Sequence, residues 1–373
     1  MNRLRIRELV RKEFIQLFRD RRNRPILIIA PLIQLLIFGY VVTTDIRTIT
    51  VGFLDQSKTR ESRMLIDRFE GSRTFRIVQV SDDPRKLETR LLHRKVDLVI
   101  KIGPDFSKRI RKGETASIQI LADGSMSNMT ISRVAYTSLV LDGFNRLLLR
   151  ELHPFPMDYG NIDARSRNWY NPNLYSQNFY VPGIVAFLIM ILTLLLTSMA
   201  IIKEKERGTM EQLIVTPIRP TELILGKTIP YSVIAIIQMT VVTVFAVYWF
   251  EIPLAGSLFL LGVATFFFLL STLGIGLFIS TISSTQQQAM MTTFFFILPF
   301  FMLSGFVFPV ANMPEPVQWL TYLNPLMYFL IVIRGIFLKG VGLEVLWPQF
   351  VSLFVIGVVL LGGAVRRFRK RLD

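Results

Sequence analysis

The sequence contains no cysteine and only two histidines, which excludes disulfides, thiolate nucleophiles and thiolate metal sites. His93 and His153 stand far apart among Arg, Leu and Pro rather than in a spaced ligand set, and read as ordinary surface or capping residues. A complete phosphate-binding loop is missing too. Gly226, Lys227 and Thr228 resemble its end, but the required first glycine would fall at Thr221, so no ATP site is expected on this chain. Six long apolar stretches contain no Asp, Glu, Lys, Arg or His, and their polar groups include Gln34, Gln238 and scattered Ser and Thr. A proton- or ion-coupled transporter needs a buried titratable carrier. Glu251 lies only at the edge of one stretch, so these segments offer no carrier for proton- or ion-coupled transport. Gly274 and Gly276, inside another stretch, read as close helix packing.

What is abundant is apolar. Of 373 residues, 51% are hydrophobic and 12% aromatic against 19% charged, and mean hydropathy is +0.45; a soluble domain carries more charge. The net charge of +16 would suit nucleic acid, but no nucleic-acid reading module is visible, and no nucleic-acid partner is expected. Basic residues flanking apolar runs are what anionic lipid and the positive-inside rule select.

Runs at 25–42, 179–202, 229–250, 257–280, 289–309 and 347–365 are each long enough for a helix crossing a ~30 Å hydrocarbon core. The first reads as a retained anchor, because a long polar leader precedes it and no small-residue cleavage site follows Tyr40. The run 325–338 is short and contains Arg334, which suits a hairpin dipping into the outer leaflet within 311–346. Arg3, Arg5, Arg7, Arg11, Lys12, Arg19, Arg21, Arg22 and Arg24 crowd one end, and Arg366, Arg367, Arg369, Lys370 and Arg371 the other. Both termini are therefore expected in the cytoplasm, which requires an even number of spans.

The fold expected is an α-helical polytopic membrane protein with six transmembrane helices, an inserted extracytoplasmic α/β domain and an outer re-entrant hairpin. Residues 1–24 form a cytoplasmic amphipathic helix, with Ile6, Leu9, Val10, Phe14, Leu17 and Phe18 on the face laid against lipid. Residues 25–43 hold the first span, 44–178 the external domain, 179–365 the other five spans, and 366–373 a basic cytoplasmic tail. In the external domain, alternation predicts strands at 49–54, 75–80, 96–102 and 117–121. Helices are expected at 60–69, 84–93, 104–111 and 127–152.

Lys203, Glu204, Lys205, Glu206, Arg207, Gly208 and Thr209 run through Glu211 into Leu213, Val215, Thr216 and Pro217, followed by Glu222-Leu223 and Gly226-Lys227. This loop, 203–228, resembles the cytoplasmic signature of type-2 ABC exporter permeases. Leu303, Ser304, Gly305, Phe306, Phe308 and Pro309, then Asn324-Pro325 and Arg334-Gly335, resemble the outer end of that family's fifth span and its hairpin. Six spans with a large domain after the first is the arrangement of its drug- and lipid-exporting branch. The resemblance implies a permease subunit exporting an amphipathic or hydrophobic molecule from a bacterial inner membrane. It assigns Glu204, Glu206, Arg207, Gly208, Thr209, Glu211, Thr216 and Pro217 to coupling with a cytoplasmic ATP-binding subunit. Ser304, Gly305, Phe306, Pro309, Asn324, Pro325 and Arg334 fall to the outer gate. Catalytic, cofactor and metal residues are expected to be absent here, with ATP and Mg on the partner. A second permease, identical or a paralogue, is a further expected partner, and the resemblance leaves room for a periplasmic adaptor. The rival reading is a multi-span scaffold or receptor whose external domain binds a partner.

Overall fold

The computed structural model describes residues 3–19, 23–42, 48–93, 95–124, 127–152, 169–171, 175–206, 208 and 218–369. The expectations for His153, Arg207, Thr209, Glu211, Thr216, Pro217 and the end of the basic tail lie outside the described residues. The chain packs as two compact units, Met1–Thr43 with Arg167–Asp373, and Thr44–Ser166.

The second unit is a small mixed sheet with helices. Strands β1 (Ile49–Asp55), β2 (Phe75–Ser81), β3 (Leu98–Ile102) and β4 (Ile118–Ala122) lie in the order β2-β1-β3-β4. β1 pairs in parallel with both β2 and β3, and β4 closes the edge antiparallel to β3. Almost every residue of β1 is buried, as a strand covered on both faces requires. On one face Phe53, Phe69 and Phe75 meet edge to face at centroid distances of 5.3 and 5.0 Å, with Leu98, Ile100 and Phe144 around them. On the other, Leu54, Leu87, Val96 and Val99 form a second cluster.

The helices of this unit are α3 (Arg60–Glu70), α4 (Pro84–Leu92), α5 (Phe106–Arg111) and α6 (Ser127–Leu152). Thr59 and Ser62 form a capping box at the start of α3, and Asp83 caps α4 just before Pro84.

Glu61 of α3 accepts hydrogen bonds from Arg111 Nε at 2.9 Å and from Ser107 Oγ. The Arg111 guanidinium leads in holding its carboxyl down to about 2. A depressed acid stabilises the fold in full above the ordinary carboxylate value of 4.5 and loses that contribution as pH falls toward about 2. Protection factors of the amides in residues 60–70 of the whole protein should therefore fall over that acid window, and Glu61→Gln should flatten the dependence.

The first unit is helical: α1 (Arg3–Arg19), α2 (Asn23–Val41), α7 (Ser176–Glu206), α8 (Pro220–Trp249), α9 (Leu258–Ile282), α10 (Gln286–Met302), α11 (Glu315–Thr321), α12 (Pro325–Arg334) and α13 (Leu343–Arg369). Four of these, α7, α8, α9 and α13, are long and apolar enough to cross a membrane. The count becomes five if α11 and the helix from Pro325 to Lys339, bent by 78°, form one span. Six were expected. The remaining two positions hold helices whose apolar lengths are shorter, Ile28–Val41 of α2 and the 17 residues of α10. α10 stops at Met302 because the chain turns at Gly305, whose φ of +81° disfavours any residue with a side chain.

Small residues let the spans approach. A Cβ on Gly274 of α9 would lie 2.6 Å from the backbone nitrogen of Leu361 in α13, and one on Gly276 would lie 2.7 Å from Thr197 Cβ in α7. Span hydroxyls donate back along their own helices, as Thr193 does to Ile189 O at 2.6 Å and Thr265 to Leu261 O at 2.8 Å.

Candidate coupling site

Residues 207–219 connect α7 to α8, and the ends that flank them are held by buried ions. Lys227, in the second turn of α8, donates to Glu13 Oε1 of α1 at 2.7 Å, to Ala200 O of α7 at 3.2 Å and to Glu204 Oε1 at 3.4 Å. Lys12 donates to the same Glu204 oxygen at 3.1 Å, and the Tyr231 hydroxyl reaches Glu13 Oε2 at 3.5 Å. Glu13, Glu204 and Lys227 are each 4–5% exposed. Two ammonium and two carboxylate groups cancel, so the network is neutral although the ions are desolvated. Nearby, Arg5 lies 3.9 Å from buried Glu222, which also accepts from the Arg219 backbone N–H at 3.2 Å.

An apolar cluster of Leu9, Ile201, Leu223, Ile224, Leu277 and Ala364 surrounds these ions. Leu9 packs on Gly226 so closely that a Cβ there would fall 2.6 Å from Leu9 Cβ. α1 thus runs along the first half of α8, with Leu9 beside Gly226 and Glu13 beside Lys227 and Tyr231. Its inward face carries Glu13, whereas Phe18 is 42% exposed. Of the face expected to lie against lipid, Leu9 is buried against α8, Ile6, Val10, Phe14 and Leu17 are half-buried and Phe18 is exposed, and the buried side also carries Glu13.

Of the expected coupling residues, Glu204 turns inward to the lysines, and Glu206 ends α7 exposed, taking hydrogen bonds from the Gln286 backbone N–H at 2.7 Å and from its side-chain amide. Gly208 has φ +69°. Sequence reasoning missed Lys12 and Glu13. The available signal was an acid at position 13, spaced four residues from both Leu9 and Leu17 on the apolar stripe.

The outer set gathers where α7, α10 and α12 meet. Ser304 Oγ donates to Phe301 O at 2.7 Å and accepts from Phe306 N at 3.2 Å. The Phe306 ring lies over Gly183, where a Cβ would come within 2.5 Å of it. Buried Asn324 caps α12, accepting from Leu326 N at 3.0 Å and donating to Phe300 O at 2.7 Å. Pro325 occupies the first turn of α12, where its missing N–H costs nothing. Arg334 stacks on the Phe179 ring at 3.7 Å and donates from Nε to Phe179 O at 3.3 Å. Pro309 instead precedes the short turn Val310–Asn312. Asn324→Ala removes a cap and leaves the Phe300 carbonyl short of its donor, so thermal unfolding in detergent should report a loss of about 1–3 kcal/mol. In α10, Phe294 and Phe295 are exposed, while Phe301 packs on Phe187 at 4.2 Å.

A bundle of apolar helices whose buried charges all cluster, among the described residues of this unit, where α7 and α8 connect is that of a polytopic membrane protein. Residues 25–366 match the family described as ABC-2 family transporter protein, and the chain belongs to that family. It is 33% identical to "Probable multidrug ABC transporter permease YbhR" of Escherichia coli strain K12, over 98% of each chain. It is 32% identical to "Probable multidrug ABC transporter permease YbhS" of the same strain, over 99% of this chain and 98% of the relative. With "Inner membrane transport permease YhhJ", also from that strain, identity is 27% over 91% and 93% of the two chains. The protein is a membrane permease subunit of an ABC exporter, and such a subunit works with an ATP-binding partner.

Proposed function

We propose that this permease moves an amphipathic or hydrophobic molecule, drug-like or lipid, outward across a bacterial inner membrane. ATP and Mg are used on separate cytoplasmic subunits, and this chain supplies no ATPase site. The names of its relatives support the cargo class and the membrane. α2 and α10 complete six spans, both termini are cytoplasmic, and the bent segment around Asn324 is a re-entrant hairpin. A second permease, identical or a paralogue, pairs with it.

The observation that carries the mechanism is the Glu13–Lys227–Glu204 network at the root of the loop. An ATP-driven displacement of 203–228 cannot leave α7, α8 or α1 behind without breaking a desolvated ion contact. Glu206, Arg207, Gly208, Thr209, Glu211, Thr216 and Pro217 would present the loop to the ATPase, while Glu204 transmits inward. Ser304, Gly305, Phe306, Pro309, Asn324, Pro325 and Arg334 would form the outer gate.

The test begins by purifying the protein from its native membranes in mild detergent. A soluble subunit with a complete phosphate-binding loop should co-purify and hydrolyse ATP. Glu206→Ala, Arg207→Ala and Glu211→Ala should each lower transport about five- to a hundredfold while the protein stays folded. Full transport by all three sinks the coupling role. Isolation of an inert single chain after gentle cross-linking would favour the scaffold reading, and a co-purifying periplasmic protein would identify an adaptor.

A further inference from the structure

A cavity of about 180 Å³ opens between α1, α2 and α8, walled by Phe18, Ile28, Ile234, Ile237, Val241 and Val242. It exceeds the ~150 Å³ apolar cavities that stay dry and admit benzene. One lining residue is polar. Gln238 is only 4% exposed, and among the described residues neither its Nε2 nor its Oε1 has a hydrogen-bond partner.

A buried primary amide without partners is expensive, and more so beside hydrocarbon. Water does not remedy this, because a trapped water needs two to four polar partners and the remaining walls are apolar. The missing partner therefore has to bring an apolar body together with its own hydrogen-bonding group.

Position narrows the choice. Ile28 lies five residues beyond the start of α2 at Asn23, about 7.5 Å along the axis. That is near the depth at which acyl chains give way to their ester linkages. The first 24 residues carry nine Arg and Lys, and exposed Arg19 directly follows Phe18 at the cavity wall. Basic residues at this level attract anionic headgroups.

We infer that the cavity is a binding site for an anionic phospholipid of the leaflet that holds the amino end. Its acyl chain fills the cavity, an ester carbonyl accepts from Gln238 Nε2, and its phosphate lies beside exposed Arg19 at the end of α1. Phe18 is five residues beyond Glu13, and Ile234 three beyond Tyr231, so the lipid would occupy the same α1–α8 seam that the ion network holds. The inference depends neither on the cargo nor on ATP.

The full-length protein is placed in phosphatidylcholine nanodiscs doped with phosphatidylglycerol carrying a diazirine on its acyl chain, irradiated and mapped by peptide mass spectrometry. Labelling should concentrate on the α8 segment around Gln238 and on the start of α2. Gln238→Leu should reduce it about three- to tenfold, with α13 labelling unchanged, and Ile237→Trp should reduce it similarly by filling the space. Gln238→Leu replaces an amide that has no partner among the described residues by an apolar group of similar size, so it carries the test if the tryptophan variant fails to fold. Labelling no denser than on α13, or unaffected by Gln238→Leu, overturns the site. Equal labelling by a diazirine phosphatidylcholine overturns its anionic character.

Discussion

Lys227→Met is expected to destabilise the permease by about 3–5 kcal/mol, because it strands two carboxylates in a buried position. Glu13 and Glu204 are 4% and 5% exposed, and Lys227 is their shared partner at 2.7 and 3.4 Å. Lys12 cannot compensate fully, since its own side chain is 40% exposed and reaches only Glu204. Thermal unfolding in detergent measures the loss. A triple variant, Glu13→Gln, Glu204→Gln and Lys227→Met, removes every buried charge of the trio and should recover most of the stability, as neutral replacements of buried ion groups do. The same triple variant separates folding from work. It should bind its ATPase partner and hydrolyse ATP yet transport poorly. A single variant within ~1 kcal/mol of wild type would show that the ions are solvated in the membrane and that no network exists to be broken.

Gly274→Ala should be nearly as damaging although it adds one methyl group. The new Cβ would meet Leu361 N at 2.6 Å and Leu360 C at 2.8 Å. Both are backbone atoms of α13 and cannot swing aside, so α9 and α13 must separate. Overpacking of this kind costs about 3 kcal/mol. Gly262→Ala, in the same helix, meets nothing within 4 Å and should be neutral or stabilise by up to ~1 kcal/mol through helix propensity. Equal unfolding temperatures for the two variants would contradict the close packing of α9 on α13.

The α/β unit of residues 44–166 was the most legible part of the chain. Its strands and helices fall within about two residues of the periodicity, because alternating apolar positions, Thr59 and the Asp83-Pro84 pair act locally. Four of the six expected spans were legible in place but not in extent. Uncharged runs end at 202 and resume at 229, whereas α7 continues to Glu206 and α8 begins at Pro220. Hydropathy marks where lipid ends, while backbone hydrogen bonds persist as long as the charges beyond it find partners. Lys203 through Glu206 thus form the last turn of α7. For the same reason Glu204 read as a surface charge: its lysine at 227 is 23 residues away, and its other lysine comes from α1. The outer cluster was visible through Asn324-Pro325 and Gly305, whose backbone demands are local. Its packing of Phe306 on Gly183 was not, since that depends on two distant segments.

The length of α7 has a mechanical consequence. Its 31 residues span about 46 Å, some 15 Å more than a hydrocarbon core. The helix is therefore a lever arm with its fulcrum inside the bilayer, where Gly183 and Gly276 hold it against its neighbours. A tilt of only ~10° about such a fulcrum moves each end about 4 Å in opposite directions, roughly half the spacing of two packed helices. A rotation too small to disrupt the packed middle is thus felt at both ends at once, and with opposite sign.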